Sequence, residues 1–154
     1  MRSRGRRAFL SAAFVAAVAI LAGAAPSPAR AEVPVRVRVI KGSRQGPANV
    51  DPKLADLKHQ LSPLAYVRWE QVAEQHYELD RGKPAFVDLP SGDTDGVTLQ
   101  ERHGDTVTIE VALASRNTQS RLTVEKGQRI VHQVTAEKGG SAFFLTVMAW
   151  PAGR

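Results

Sequence analysis

The stretch Thr106-Val107-Thr108-Ile109-Glu110-Val111-Ala112-Leu113 decides the fold. Val107, Ile109, Val111 and Leu113 fall on one side, with Thr108 and Glu110 on the other. Side chains of an extended chain alternate between two faces, so this pattern predicts a strand with one face on a core and one in water. Its threonine, valine and isoleucine suit a pleated, half-buried surface.

Working outward, the turn His103-Gly104-Asp105 leads back to an alternation at Val97 and Leu99. Before it, Pro90-Ser91-Gly92-Asp93-Thr94-Asp95-Gly96 is the longest turn signal in the chain. Beyond Leu113, a turn at 115–118 precedes a strand with Leu122 and Val124 inward. The hairpin turn Glu125-Lys126-Gly127-Gln128 follows, then Ile130, His132 and Val134 alternate with Val131 and Gln133. After Glu137-Lys138-Gly139-Gly140, both phases of 141–150 are apolar: Phe143, Leu145 and Val147 on one, Phe144, Met148 and Trp150 on the other. That strand is expected to be central or covered on both faces.

Nearer the start, Val33, Val35, Val37 and Val39 alternate with Arg36 and Arg38, predicting a strand whose arginines face water. Pro34 lacks an N–H, which puts it at the beginning of that strand or on a free edge. Exposed arginines on an edge discourage sheet-to-sheet association. An anion-binding stripe continued by Lys41 and Arg44 is the functional alternative. Residues 41–49 read as a loop. Asp51-Pro52 then opens one short helix at about 51–61, with an aspartate cap, a proline at its first position and a stripe of Leu54, Leu57 and Leu61. So short a helix must lie on the sheet. Residues 64–75 are read as strand in preference to helix, Tyr77 and Leu79 point inward, and a turn at 81–84 leads to a strand at 85–89. Strands at regular spacing with turns between them predict a mainly β protein: an antiparallel β-sandwich or small barrel of about 7–9 strands.

Residues 1–31 have the three parts of an export signal. Arginines reach to Arg7, an alanine-rich apolar stretch of about 16 residues runs to Gly23, short for a membrane span, and Ala29-Arg30-Ala31 offers a cleavage site before Glu32. The predicted organisation is a signal-peptide helix over 1–31 and a single β-rich domain over 32–154, an uncleaved anchor being the alternative. Gly5-Arg6-Arg7-Ala8-Phe9-Leu10 resembles the twin-arginine export signal, with Gly5 where serine or threonine is usual and Ser11 where lysine is usual. That resemblance implies folding before export; a general secretory signal with adjacent arginines is the alternative.

Five of the six net positive charges belong to this leader, which holds five of the 21 basic residues and no acidic one. The remainder carries 16 basic against 15 acidic residues, leaving no electrostatic footprint for nucleic acid. The chain has no cysteine, which excludes disulfides, thiolate metal sites, cysteine nucleophiles and a lipid-modified cysteine.

Catalytic motifs are missing from the sequence: there is no Gly-x-Ser-x-Gly elbow and no His-Glu-x-x-His. His59, His76, His103 and His132 lie far apart. Asp93-Thr94-Asp95-Gly96 begins like a calcium loop, but Thr98, Gln100 and Glu101 continue it poorly. Asp93 and Asp95 are therefore candidate calcium ligands in a domain expected to need no cofactor. Trp69, Tyr66 and Tyr77 are candidates for an aromatic ligand-binding face, and His103 for a ligand contact at a turn.

The order of leader, valine–arginine strand, Asp-Pro-capped helix, Glu78-Leu79-x-x-Gly82-Lys83-Pro84 turn and hairpins resembles that of uncharacterised small exported bacterial β-rich proteins. The resemblance implies no activity and no site. The expectation is an exported, periplasmic or extracellular, non-enzymatic binding or assembly module. Its partner would be an envelope protein or glycan, with no nucleic acid and no membrane span once the leader is removed. The alternative is a small hydrolase or metal-dependent enzyme whose site is assembled from distant residues such as His103, His132, Asp105 and Glu110.

Overall fold

The computed structural model describes residues 32–113 and 116–151. The predicted leader at 1–31 lies outside the described residues, as does residue 115 of the turn expected there.

A valine-rich and a phenylalanine-bearing strand from opposite ends of the domain pair at the centre of one sheet. β1 (Val33–Ser43) and β9 (Ser141–Ala149) run antiparallel from Val35 opposite Ala149 to Ser43 opposite Ser141. β3 (Arg68–Leu79) lies along the other side of β1, and β8 (Arg129–Gln133) beyond β9. The two-residue β2 (Asn49–Val50) joins the far edge of β3 in parallel, the one departure from antiparallel pairing among the named strands. This first sheet has the order β2-β3-β1-β9-β8. β4 (Pro84–Asp88), β5 (Thr94–His103), β6 (Thr106–Leu113) and β7 (Thr118–Glu125) form the second as a meander. The described residues are thus mainly β, a sandwich of nine strands in two sheets, with one ten-residue helical segment on the outside.

The stretch that opened the sequence analysis, β6, is an inner strand of the second sheet. Val107, Ile109 and Val111 are fully buried and Thr108 and Glu110 are not. They meet Val33, Val35, Val37 and Val39 of β1 and Leu145 and Val147 of β9 in one core between the sheets. Each such side chain stabilises the fold by roughly 1.5–3 kcal/mol on burial.

A second, smaller core covers the outer face of the first sheet. Asp51 caps a 3-10 segment (Pro52–Leu57) that passes into α1 (Lys58–Leu61), as the aspartate–proline pair predicted. Leu54, Leu57 and Leu61 pack on Ile40, Trp69 and Phe144. Trp69 reaches this face because β3 carries a bulge. Val39 pairs with Ala73 but Ile40 pairs with Gln71, so Val72 is the extra residue. One extra residue inverts the phase of the strand: Tyr77 and Leu79 face the sandwich while Trp69 faces the helical cover. The cap is tied to the same place, since Asp51 Oδ1 accepts from the Lys53 amide and Oδ2 from the Gln71 amide at the bulge. Trp69 lies so close to β1 that only glycine fits at position 42; a Cβ there would stand 2.9 Å from Trp69 Cζ3.

One expectation about β1 is corrected. It is the central strand of its sheet, not an edge, and Pro34 takes the other option, the strand's beginning, one residue before the register with β9 starts. Arg38 does not face water. It is 2 % exposed, with Nη1 and Nη2 donating to the two carboxylate oxygens of Asp56 at 3.0 and 2.8 Å, Nε to Thr146 Oγ1, and Nη1 also to the Lys53 carbonyl. The helical segment covers it, and periodicity cannot show that a polar face will be capped. The loop read at 41–49 is also shortened, because β1 continues to Ser43. The strand of 64–75 begins at Arg68 and runs unbroken into the next.

Arg129 contacts the same Asp56 carboxylate from an exposed position, at 2.7 Å. The two arginines therefore separate a buried from an exposed ion pair. Asp56→Ala is expected to lower the unfolding free energy by about 3 kcal/mol, because Arg38 is left charged and buried. Arg129→Ala is expected to cost under about 1 kcal/mol. Gly42→Ala should cost about 1–3 kcal/mol through the clash with Trp69. Urea denaturation of the three variants checks all three values.

Candidate functional site: a cationic cleft at one end of the sandwich

Several polar side chains gather at one end of the sandwich. There the β4–β5, β6–β7 and β8–β9 connections come together beside the end of β1, and a cleft of about 710 Å³ opens. Lys41 enters it from β1, in the same phase as the core residues Val37 and Val39. Phe143 and Ser141 enter from β9, and Phe143 packs against the edge of the main core, forming the apolar part of the lining.

Two tight turns position the rest. Lys138 and Ser141 exchange backbone hydrogen bonds at 2.8 and 3.2 Å around Gly139 and Gly140. Both glycines have positive φ, +61° and +76°, the conformation that a two-residue hairpin turn matching strand twist requires. This turn sets Lys138 at the rim. Across the cleft, the Leu89 amide donates to the Asp93 carbonyl and the Gly92 amide to the Leu89 carbonyl, which presents Ser91 and Asp93. Arg116, between β6 and β7, completes the set of cations.

The charge of the lining is unbalanced: Lys41, Arg116 and Lys138 face one carboxylate, Asp93. Among the described residues none of the three cations forms an ion pair. Asp93 accepts a hydrogen bond from Ser91 Oγ. Glu137, next in sequence to Lys138, is taken by Arg44, whose guanidinium also stacks on the Tyr66 ring. The Thr135 hydroxyl oxygen accepts from the Phe143 amide, which leaves its proton free to donate into the cleft.

Beneath Asp93 in sequence, Asp95 points into the sandwich between Val87 and Leu113, to which it is paired across β4 and β6. It is 0 % exposed, and among the described residues both carboxylate oxygens are buried without a hydrogen-bond partner. Burial first, and the neighbouring Asp93 charge second, raise its pKa from the ordinary 3.8 to about 6. His132 also faces the interior, opposite Leu145; its Nε2 has no partner among the described residues, and burial lowers its pKa.

The sequence candidates are dispersed. Trp69 is buried in the second core, edge-on to Phe144 and Tyr66 at centroid distances of 5.1 and 5.6 Å. Tyr77 lies on the opposite face of the same sheet, donating to the Phe86 carbonyl. The three aromatics therefore share no surface. His103 is exposed at the other end of the sandwich, beside Glu101. Asp105 shares that turn, Glu110 faces away from the core on β6 and His132 faces into it on β8, so these four do not converge. Asp93 reaches the cleft while Asp95 is in the core. No group of three or more histidine, aspartate or glutamate side chains able to hold a metal ion occurs among the described residues, and calcium takes about six to eight oxygens. Sequence reasoning missed the cleft itself. One signal was there: Lys41 occupies the inward phase set by Val33 to Val39, a charge where a core residue is due.

Comparison with protein-family models, with curated proteins and with solved structures finds no match for this chain. What the geometry defines is a two-sheet β-sandwich with a helical cover on one face and a cation-lined cleft at one end.

The raised pKa of Asp95 gives a pH test. Its folded value stands above the unfolded one, so its charge weakens the fold above about pH 6 and the penalty fades as pH falls toward 3.8. Asp51, Asp56 and Glu74 have lowered pKa values and act in the opposite direction, losing stability on acidification. The comparison must therefore be with a variant. Asp95→Asn is expected to melt several degrees above the wild type at about pH 8, with the gap closing at about pH 4.5. Calorimetric melting at the two pH values checks it; an equal gap at both would contradict it.

Proposed function

We propose that the chain is an exported, non-enzymatic binding module of the cell envelope, and that the cleft between the sheets is where it holds its ligand. The observation that carries this reading is the cleft: concave, built from four separate stretches of chain on a two-sheet frame, part apolar and part cationic. A binding function needs such a shaped recess with a few fixed polar groups. A hydrolytic one needs an acid and a base within reach of one reacting atom, and the titratable residues that would serve lie on different faces. Export is supported by the arginine-led, alanine-rich leader ending in Ala29-Arg30-Ala31. Among the described residues no helix is long and apolar enough to cross a membrane.

Two measurements test the proposal. The full chain with a C-terminal tag, expressed in a bacterial host and fractionated, is expected outside the cytoplasm with Glu32 at its N-terminus; full-length product retained in the cytoplasm would reject export. The dialysable fraction of an envelope extract is expected to raise the melting temperature of the purified protein by a few degrees, as any ligand of the native state does. Ala136→Trp, which plugs the cleft from an exposed position, should abolish the rise. No rise, or an equal rise in that variant, would reject the cleft as the binding site.

A further inference from the structure

We infer that the cleft is a polyanion site whose ligand is a small organic molecule with at least two oxyanion groups, carboxylate or phosphate, on a short carbon skeleton. This rests on the binding-module reading and names its ligand class. Lys41, Arg116 and Lys138 come from β1, the β6–β7 connection and the β8–β9 turn, so their meeting is a product of the fold and not of one basic run. Nor is it a product of composition, since beyond the leader basic and acidic residues nearly balance at 16 and 15.

Three cations against Asp93 leave an excess of two positive charges, which a single carboxylate would not neutralise. Lys41 is half-buried and has no ion-pair partner among the described residues, so a bound anion there gains more than it would at the open surface. Ammonium and guanidinium groups donate charge-assisted hydrogen bonds to oxyanions, and the Thr135 hydroxyl adds a neutral donor. Phe143 offers a face for the carbon skeleton. The volume, about 710 Å³, is that of a small-molecule site.

The test uses protein purified from cells expressing the full chain, titrated calorimetrically at low ionic strength with citrate, glycerol 2-phosphate and acetate. Citrate or glycerol 2-phosphate is expected to bind saturably at one site, with acetate at least about tenfold weaker. Binding of citrate alone assigns carboxylate, and of glycerol 2-phosphate alone phosphate. Lys41→Gln, Arg116→Gln and Lys138→Gln should each weaken binding by about fivefold or more, and added salt should weaken it further. Lys126→Gln, in the hairpin turn at the other end, should leave it unchanged. Arg116 and Lys138 are exposed, so their variants carry the test should Lys41→Gln fail to fold. Absence of saturable heat from both polyanions, or equal weakening by Lys126→Gln, overturns the inference. Native mass spectrometry separates its failure from that of the wider reading. A co-purifying small molecule that Ala136→Trp loses, with no heat from either polyanion, overturns the anion assignment and leaves the binding module standing. No polyanion heat and no such molecule overturns both.

Discussion

The guanidinium of Arg38 sits near the middle of the five-stranded sheet and cannot reach water. A charge removed from water costs several kcal/mol even after relaxation, unless a counter-charge and further hydrogen bonds meet it. Asp56 supplies both of its oxygens, Thr146 and the Lys53 carbonyl supply the rest, and Arg38 in turn holds the Asp56 carboxyl below its usual pKa. Asp56 belongs to the 3-10 segment, so the requirement to satisfy one arginine on β1 decides where that segment lies. Leu54, Leu57 and Leu61 contribute more free energy to the cover than the ion pair does. Apolar contacts, though, would tolerate a shifted segment, whereas a shift would leave two charges unpaired.

That constraint propagates to the cleft. With its outer face closed by the helical cover and its inner face by the second sheet, the five-stranded sheet is buried on both sides along β1 and β9. A charge without a partner on the inner face of these strands is then admissible only where the sandwich ends. One end is drawn together by the Lys126 amide on the Asp105 carbonyl and the Gly127 amide on the Ala149 carbonyl. The other stays open, and it is there that Lys41, Ser141 and Phe143 emerge.

The fold was legible wherever a strand met one core on one face. The alternation of β6 and the two apolar phases of β9 both predicted their places, because local periodicity reports burial directly. The cap at Asp51-Pro52 was equally legible, as capping is local chemistry. Two features were not. The position of β1 depends on which strands flank it, and Pro34 with its arginines mimics an edge until β3 and β9 are placed. The bulge at Val72 depends on pairing with β1 and reverses the face that Trp69 shares with Tyr77, which dissolved the expected aromatic platform. The cleft was hidden for a third reason: its lining is contributed by connections whose proximity exists only after both sheets have stacked.

Lys41 and Asp95 stand out for breaking a local rule at the same end of the molecule. Each occupies a phase that its own strand otherwise reserves for valine or leucine, Lys41 after Val39 and Asp95 before Val97. A valine at either position would remove a desolvation penalty and add apolar burial, so neither residue is there for stability. Sequences that are consistent elsewhere and locally inconsistent at one place tend to be so where function lies. In this domain the inconsistency is of one charge on each sheet, positive at the cleft and negative just beneath it. The cation is half-exposed and the carboxylate is not, so Lys41 belongs to the cleft lining together with Arg116, Lys138 and Asp93, whereas Asp95 stays in the core at a cost in stability that rises with pH.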